Sequence, residues 1–370
     1  MSLRGKTAIV GYGEIPHRRK YENRSYMGLF ADAVAIALKN AGIRKEEING
    51  LIAEPPFGLP SLGFAYDFAE YIGIHPNYAT ALNENAATFI STAAAAIHAG
   101  YADTVLCING SGPMPETPGM YAPAPDHVDP QFVELYGPVV AATGWYAQVA
   151  RRHAHEYGTT DEQRARVSVD QRFNAQGNPN AFFNGQTITA QDVLDSRPIA
   201  DPLRILECVM PAQGAAATIV TTAEKAKALT KSPIYLLGAG QHNIRAEHGN
   251  TWGGRITNTP ANISARIAFE MAEVGPNDMD MWQMYDCYTI TVMVTLEDAG
   301  LIPKGMAGPW YEEHDTTWKG DFPVNTGGGQ LSNGQSTAGT TQVVEGIRQL
   351  KGEADGHQVP DSPELCFVNT

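Results

Sequence analysis

The run Val324-Asn325-Thr326-Gly327-Gly328-Gly329-Gln330-Leu331-Ser332-Asn333-Gly334-Gln335 sets three consecutive glycines between an asparagine and a serine. Glycine lets backbone approach backbone or ligand where no side chain would fit, and Asn and Ser suit a tight, hydrogen-bonded loop. Asn325, Gly328 and Gly329 are therefore candidates for holding a substrate. Gln335 closes the run. Its amide donates and accepts hydrogen bonds but does not titrate, so it can position a carbonyl or a water and cannot be a general base. Loop-stabilising hydrogen bonding explains it equally well. Tyr285 ends the apolar run Met281–Tyr285, and open α/β folds bind ligands at the C-terminal ends of strands. A phenol there is a candidate for proton transfer, with a buried structural phenol as the competing reading. Asn83, Glu84 and Asn85 follow the apolar-leaning run Tyr78–Leu82. Glu84 has the chemistry of a base and Asn85 that of an oxyanion donor, while Asn and Glu there also suit the cap of a following helix.

Other reactive side chains are less directive. The four cysteines, Cys107, Cys208, Cys287 and Cys366, form no Cys-x-x-Cys pair and sit in or beside apolar runs. Buried reduced thiols, no zinc site and a cytoplasmic location are expected. Cys287 can also be read as a nucleophile, against plain burial. His153 and His155 lie two apart on a predicted helix and point roughly 200° apart, so they do not form a metal pair. His242, Arg245 and His248 fall in the Gly/Asn-rich stretch Gly240 to Gly254, which suits a substrate mouth or a solvent-facing loop. Arg151, Arg152, Arg164 and Arg166 form a basic group that reads as solvated helix faces or as a phosphate site. Tyr136, Trp145, Tyr146 and Trp252 permit a bulky ring as ligand or serve as packing.

The elements that position these residues alternate between strand and helix. The chain has 370 residues, 43% hydrophobic and 18% charged, enough for a sizeable core. Its net charge of −14 argues against nucleic acid. Apolar runs such as Ala93–Ile97 and Ile290–Val294 fall far short of a membrane span, and the N-terminus leads straight into a strand, so no signal peptide is expected. The pattern predicts strand Thr7–Val10, a turn at Gly11-Tyr12-Gly13, a helix over Met27 to Asn40 stopped by Gly42, strand Leu51–Ala53, an alanine-rich helix Ala86 to Ala99 and strand Thr104–Ile108. The second half repeats the plan. Ile234–Leu237 and Gly238-Ala239-Gly240 echo the opening, followed by a helix over Ala261 to Glu273 stopped by Gly275, strand Met281–Tyr285, helix Thr341–Leu350 and strand Leu365–Val368. Between the halves lie a proline-rich stretch, Gly110–Pro138, expected as a lid, and helices over Val139–Tyr157 and Thr160–Ala175. The divisions are residues 1–110 with 203–230, an inserted loop domain at 111–202, and a second half at 231–370.

The glycine run resembles the catalytic loop Asn-x-x-Gly-Gly-x-x-x-x-Gly-His of the thiolase superfamily, with Gln335 in place of the histidine. Collinear stretches extend the resemblance over essentially the whole chain: Ala150-Arg151-Arg152-His153, Ser196-Arg197-Pro198-Ile199-Ala200-Asp201-Pro202-Leu203, and Tyr285-Asp286-Cys287-Tyr288. They are most similar to the sterol-carrier-protein-type thiolases and the "lipid-transfer protein" thiolase-like group. The resemblance implies an α/β thiolase fold, two duplicated mixed-sheet α/β halves in a layered α-β-α-β-α arrangement with an inserted loop domain. Family thiolases place a nucleophilic cysteine at the start of the alanine-rich helix. Asn83 or Ala86 occupies that position here, and Asn83 through Thr88 contains no cysteine. The family's Cys-x-Gly element would follow Leu365–Val368, and the sequence runs to Thr370. Without cysteine and histidine the resemblance points to the thiolase-like aldolases that shorten steroid side chains, which share a Tyr-Asp segment but carry tyrosine where this chain has Gln335. It implies a coenzyme A thioester as substrate, with Arg151 and its neighbours and His248 as substrate-binding candidates and no cofactor or metal in the chain. It further implies retro-aldol cleavage with Tyr285, Gln335, Asn83, Glu84 and Asn85 as catalytic candidates. Acyl transfer by an unorthodox thiolase, or a non-catalytic scaffold, are the other readings. A homodimer contacting through Asn83–Ala99 and a small partner with an OB-fold and a zinc ribbon complete the implied assembly.

Overall fold

The computed structural model describes residues 2–56, 62–83, 85–111, 141–243, 256–337 and 339–370. Strand β1 (Thr7–Glu14) runs straight through Gly11-Tyr12-Gly13, where the sequence predicts a turn. The glycines face helix α1 (Tyr26–Ala41). A Cβ on Gly11 would stand 2.6 Å from the carbonyl oxygen of Ala37, and one on Gly13 would collide with that of Ala33. They serve close approach of strand and helix, not a bend. Ser25 caps α1 by accepting from the Gly28 N–H, and Gly42 ends it in the left-handed region at φ 68°. β2 (Gly50–Ala53), α2 (Phe64–Ile72), β3 (Tyr78–Ala81), α3 (Ala86–His98) and β4 (Thr104–Gly110) follow.

After β4 the proline-rich stretch expected as a lid lies, from residue 112 onward, outside the described residues. The chain returns as α4 (Ala141–Tyr157) and α5 (Asp161–Asn174), the latter opened by a capping box between Thr160 and Gln163. Next come α6 (Ala190–Asp195), β5 (Pro198–Ala200), β6 (Leu203–Arg204), β7 (Ala215–Thr222), α7 (Ala223–Leu229) and β8 (Ile234–Tyr235). The main sheet has the order β3-β2-β4-β7-β1-β8. β2 is parallel to β3 and β4, whereas β7 is antiparallel to both β4 and β1. β8 pairs with β1 for two residues only, so the expected strand Ile234–Leu237 attaches to the first-half sheet.

The second half contains α8 (Ala261–Ala272), β9 (Met281–Gln283), α9 (Thr289–Asp298), α10 (Ala307–Glu313), α11 (Gly329–Asn333), α12 (Thr340–Leu350) and β10 (Cys366–Val368). β9 and β10 pair in parallel, Cys366 opposite Met281. α8 stops before the expected Gly275, because Glu273 itself takes the left-handed position at φ 59°. β9 is shorter than expected because the Met284 N–H turns aside to the Asn325 side-chain oxygen at 2.7 Å.

Layers stack as expected. Phe30, Phe64 and Phe68 cover the outer face of the main sheet from α1 and α2. On its inner face Phe89 and Ile90 of α3 and Val343 and Ile347 of α12 pack on Ile52, Val105 and Val220. Beyond β9 and β10 lies the cluster of α8 and α9, where the Phe269 ring stacks on Phe367 at 5.1 Å between centroids and meets Trp282 edge-on at 6.4 Å. Each fully buried aromatic contributes roughly 2–3 kcal/mol by area. A buried ion network also joins the halves. Arg348 of α12 contacts Glu14 of β1 at 3.1 Å and Glu345 at 2.6 Å, and His357 contacts Glu345 at 3.2 Å. Burial alone would raise the Glu14 carboxyl, but the hydrogen bond and charge of His17, with Arg348, outweigh it and hold it at about 2.

Among the described residues no helix is long and apolar enough to cross a membrane.

Candidate active site

The glycine run is a clamp built around one carboxylate. Val324 bridges Trp282 beside β9, and Asn325, at φ 50°, donates its N–H to the Trp282 carbonyl at 2.9 Å. Gly328, at φ 97°, caps α11. The first N–H groups of that turn, from Gln330 and Leu331, donate to Asp286 at 2.8 and 2.9 Å, and Gln342 Nε2 adds a third bond at 2.7 Å. A Cβ on Gly329 would collide with Asp286 Oδ2, so only glycine lets the loop close on this carboxylate. Asn333 then ties the run together by donating its amide to the carbonyls of Gly327 and Gly329. Burial pushes the Asp286 carboxyl up to about 7, and its three donors oppose that rise.

This clamp delivers one side chain. After Gly334 (φ 86°) the Gln335 backbone is fixed on both sides: its N–H donates to Met210 O at 2.8 Å, and its carbonyl accepts from Ala212 N at 3.2 Å. Gln335 Nε2 then donates to Tyr285 Oη at 3.2 Å. The structure thus brings together two residues 50 positions apart that the sequence singled out separately. Tyr285 lines a cavity of about 590 Å³, shared with Asn85, Tyr146 and His242. Gln335 is absent from that wall and meets the cavity only through the phenol. Tyr146, from the inserted α4, lies against Tyr288 with ring centroids 4.6 Å apart.

The remaining candidates separate. Asn85 is the N-cap of α3 but makes no side-chain capping bond, and it faces the cavity; α3 begins at Ala86. The Thr370 hydroxyl instead accepts from the first-turn Ala87 N–H at 3.0 Å. Asn83 is exposed and off the cavity wall. Glu84 and His248 lie outside the described residues, as do Arg245, Tyr136 and Trp252. Asn325, Gly328 and Gly329 are buried beneath the site and off its wall, so their contacts are with the fold. Arg151 is exposed and paired with Asp201. Arg152 pairs with Glu156, Arg164 with Glu207 and Asp161, and Arg166 with Asp170. The basic group is thereby divided among separate carboxylates.

No activated thiol stands at the site. Cys287 is buried, bonded to Thr291 Oγ1 at 3.5 Å, and burial pushes its thiol up to about 12. Cys107 and Cys208 are raised to the same level by burial, and burial also raises Cys366, which lies on the cavity wall. Thiolate, the nucleophilic form, is then negligible at neutral pH. Among the described residues no group of three His, Cys, Asp or Glu side chains is placed to hold a metal ion.

Two features escaped sequence reasoning. Glu54, just after β2, accepts from Asn109 Nδ2 at 2.9 Å, and burial pushes it up to about 7 despite that bond. Its signal was an acid at a buried strand's C-terminal end, followed by Pro55-Pro56. Next to Gln335, the buried Ser336 hydroxyl bonds His17 Nδ1 at 2.6 Å, and His17 Nε2 meets Glu14 at 3.2 Å. Glu14 and His17 are three positions apart, but nothing local in the sequence links them to Ser336.

The thiolase C-terminal domain-like family model matches residues 250–370. The chain is 32% identical over 368 residues to the acetyl-CoA acetyltransferase of Methanothermobacter thermautotrophicus, covering 97% of this chain and 88% of that protein. It is 30% identical to the 17-hydroxy-3-oxo-4-pregnene-20-carboxyl-CoA lyase of Mycobacterium tuberculosis, covering 95% and 92%. Among solved structures it is similar to an Ltp2-ChsH2(DUF35) aldolase, with a TM-score of 0.87 and 27% identity over 100% of this chain and 95% of that one. Both an acetyltransferase and a lyase or aldolase are thus named among the relatives.

Proposed function

Since this chain belongs to the thiolase superfamily, in the group of sterol-carrier-protein-type thiolases and steroid side-chain aldolases, we propose that it cleaves a carbon–carbon bond of an acyl-CoA thioester by retro-aldol chemistry, without an acyl-cysteine. In that reaction Tyr285, as phenolate, takes the proton from the β-hydroxyl of a β-hydroxyacyl-CoA. The Cα–Cβ bond breaks, its electron pair moves into the thioester enolate, and the β carbon leaves as a ketone or aldehyde. The proton returns to Cα and yields the shortened acyl-CoA. Gln335 donates to the phenolate oxygen and acts as a positioning residue. Asn85, on the same cavity wall, is the candidate donor to the enolate oxygen. The observation that carries this reading is the Gln335–Tyr285 hydrogen bond at the cavity, where a proton-transfer group is supported and no thiol is activated. The chain is further proposed to form a homodimer and to work with a small second subunit carrying an OB-fold and a zinc ribbon. The two-component name of the solved aldolase supports the second subunit.

The test is turnover of β-hydroxyacyl-CoA esters without free coenzyme A, with and without a co-purified small subunit. A carbonyl product and a shorter acyl-CoA are expected, with Tyr285→Phe slower by about 10²-fold or more. A fully active Tyr285→Phe, or strict dependence on free coenzyme A, would sink the proposal. Acyl transfer is the second reading, favoured by the 32% identity to an acetyl-CoA acetyltransferase. It requires a labelled acyl group to become covalently trapped on the protein.

A further inference from the structure

The Asp286 clamp holds the glycine run upstream of Gln335, and a second anchor holds it downstream. The Gln335 backbone is bonded to one neighbouring segment, Met210 to Ala212, with a parallel bridge to Pro211. Two bonds to one segment act as a hinge. They fix where Gln335 lies but leave rotation about the line between them, so aiming its side chain needs a third point off that line. Ser336 supplies it. Its buried hydroxyl lies 2.6 Å from His17 Nδ1, while the adjacent Gln335 sends its amide to Tyr285.

Three segments lie side by side here. Gln213 exchanges backbone bonds with Arg18 at 3.0 and 2.7 Å on one edge of the middle segment, and Met210 and Ala212 bond Gln335 on the other. His17 and Ser336 meet across Gly214, where a Cβ would stand 2.8 Å from Ser336 Oγ and 3.2 Å from His17 Nδ1. Glycine leaves the room for that bond. His17 is itself fixed and lies off the cavity wall. Its N–H donates to Asn180 O at 3.0 Å, and its Nε2 faces Glu14 Oε1 at 3.2 Å and Thr341 Oγ1 at 3.4 Å. An ionised carboxylate only accepts, so Nε2 carries a hydrogen for Glu14 and Nδ1 is left for Ser336. Glu14 continues through Arg348 to Glu345, which accepts from Thr326 Oγ1 at 2.7 Å. The glycine run is thereby tied, near its start and just past its end, to one buried cluster.

We propose that His17 is a positioning residue: through Ser336 it fixes the rotation at which Gln335 presents its amide to Tyr285. In catalysis this role rests on the support of Tyr285 by Gln335 proposed above.

Three variants separate positioning from a structural role. An asparagine amide reaches about as far as the Nδ1 of histidine, and a glutamine amide about as far as its Nε2. His17→Asn keeps the bond to Ser336 and loses Glu14, whereas His17→Gln keeps Glu14 and loses Ser336. Ser336→Ala removes the same bond from the other end. The readouts are titration of the Tyr285 phenol by carbon-13 NMR, with Tyr285→Phe assigning the signal, and steady-state kinetics on a β-hydroxyacyl-CoA. Because the Gln335 amide favours the phenolate, His17→Gln and Ser336→Ala should both move the phenol's titration to higher pH. Both should lower kcat about three- to tenfold with KM within about twofold, and neither should add to the loss in a Gln335→Leu background. His17→Asn should rescue most of both effects. Where a His17 variant fails to fold, Ser336→Ala alone decides. The positioning role is overturned if Ser336→Ala leaves the phenol's titration unmoved, if His17→Asn is as impaired as His17→Gln, or if the losses multiply with Gln335→Leu. A phenol that shifts as expected, in a protein that never turns over the ester, supports the positioning of Gln335 and removes the retro-aldol reading instead.

Discussion

Replacing Gln335 by Leu keeps the side chain's bulk and removes one interaction, the Nε2 hydrogen bond to Tyr285 Oη at 3.2 Å. The loop should survive, because Gln335 is anchored through its backbone, to Met210 O and from Ala212 N. When Tyr285 is a neutral phenol, a bond of this kind stabilises by about 1 kcal/mol; to a phenolate it contributes about 2–3 kcal/mol. Only the difference, about 1–2 kcal/mol, reaches the barrier, so kcat should fall about 5- to 30-fold. KM should stay within about twofold, since Gln335 is off the cavity wall. Gln335→Glu should do worse at neutral pH, since a carboxylate facing the phenol opposes its ionisation. The assay is steady-state release of the carbonyl product from a β-hydroxyacyl-CoA. If Gln335→Leu keeps kcat within twofold of the wild type, or loses activity wholly through KM, the supporting role assigned to this residue is refuted.

Asp286 sets a pH dependence. Burial holds it at about 7 in the fold against about 4 in an unfolded chain, so the folded state binds the extra proton between those values. Its contribution to stability is present in full below about pH 4 and is lost as pH rises to about 7, on the order of 4 kcal/mol across the window. Denaturant unfolding at several pH values should show a flatter profile in Asp286→Asn; an unchanged slope would contradict the assignment. Gly329→Ala combines a left-handed φ of 55° with a collision on Asp286 Oδ2, and should cost about 2–5 kcal/mol of stability; a loss under 1 kcal/mol in the same experiment would mean that the loop does not close as described. Cys287→Ala should keep turnover within about twofold, because the thiol is buried and un-ionised; a loss above tenfold would restore Cys287 as a nucleophile.

The duplicated plan was legible because amphipathic periodicity and glycine stops are local signals, and most elements lie within a residue or two of where they were expected. The misreadings came where a residue's partner is distant in the chain. Gly11 and Gly13 read as a turn because glycine next to glycine favours one, yet their role is set by Ala33 and Ala37 on the following helix. β9 ends early because Met284 is captured by Asn325, 41 residues on. The same distance dependence governs the site. Tyr285, Gln335 and Asn85 were each visible as chemistry, but nothing in the sequence shows that Gln335 reaches the phenol, or that Asn85 faces a cavity instead of capping its own helix. The glycine run was legible as a special loop; that its backbone N–H groups are spent on Asp286 was not.

That clamp changes what replacing the loop's histidine by Gln335 means. A titrating residue at 335 would itself be the proton carrier, and the loop would be judged by whether it holds that residue in the right state. With an amide there, the loop can only aim and support a proton-transfer group elsewhere, and the residue it supports is the neighbour of the carboxylate that holds it: Asp286 anchors the loop, and Tyr285 receives its hydrogen bond. Position and support are therefore coupled through two adjacent residues. Disturbing Asp286 should misplace Gln335 and weaken Tyr285 at once, whereas disturbing Gln335 should leave Asp286 clamped. Under the proposed chemistry, Asp286→Asn combined with Gln335→Leu should lower kcat little beyond the worse single variant, because both act through the same phenol. Losses that multiply in the double variant would mean that Asp286 reaches the chemistry by another route.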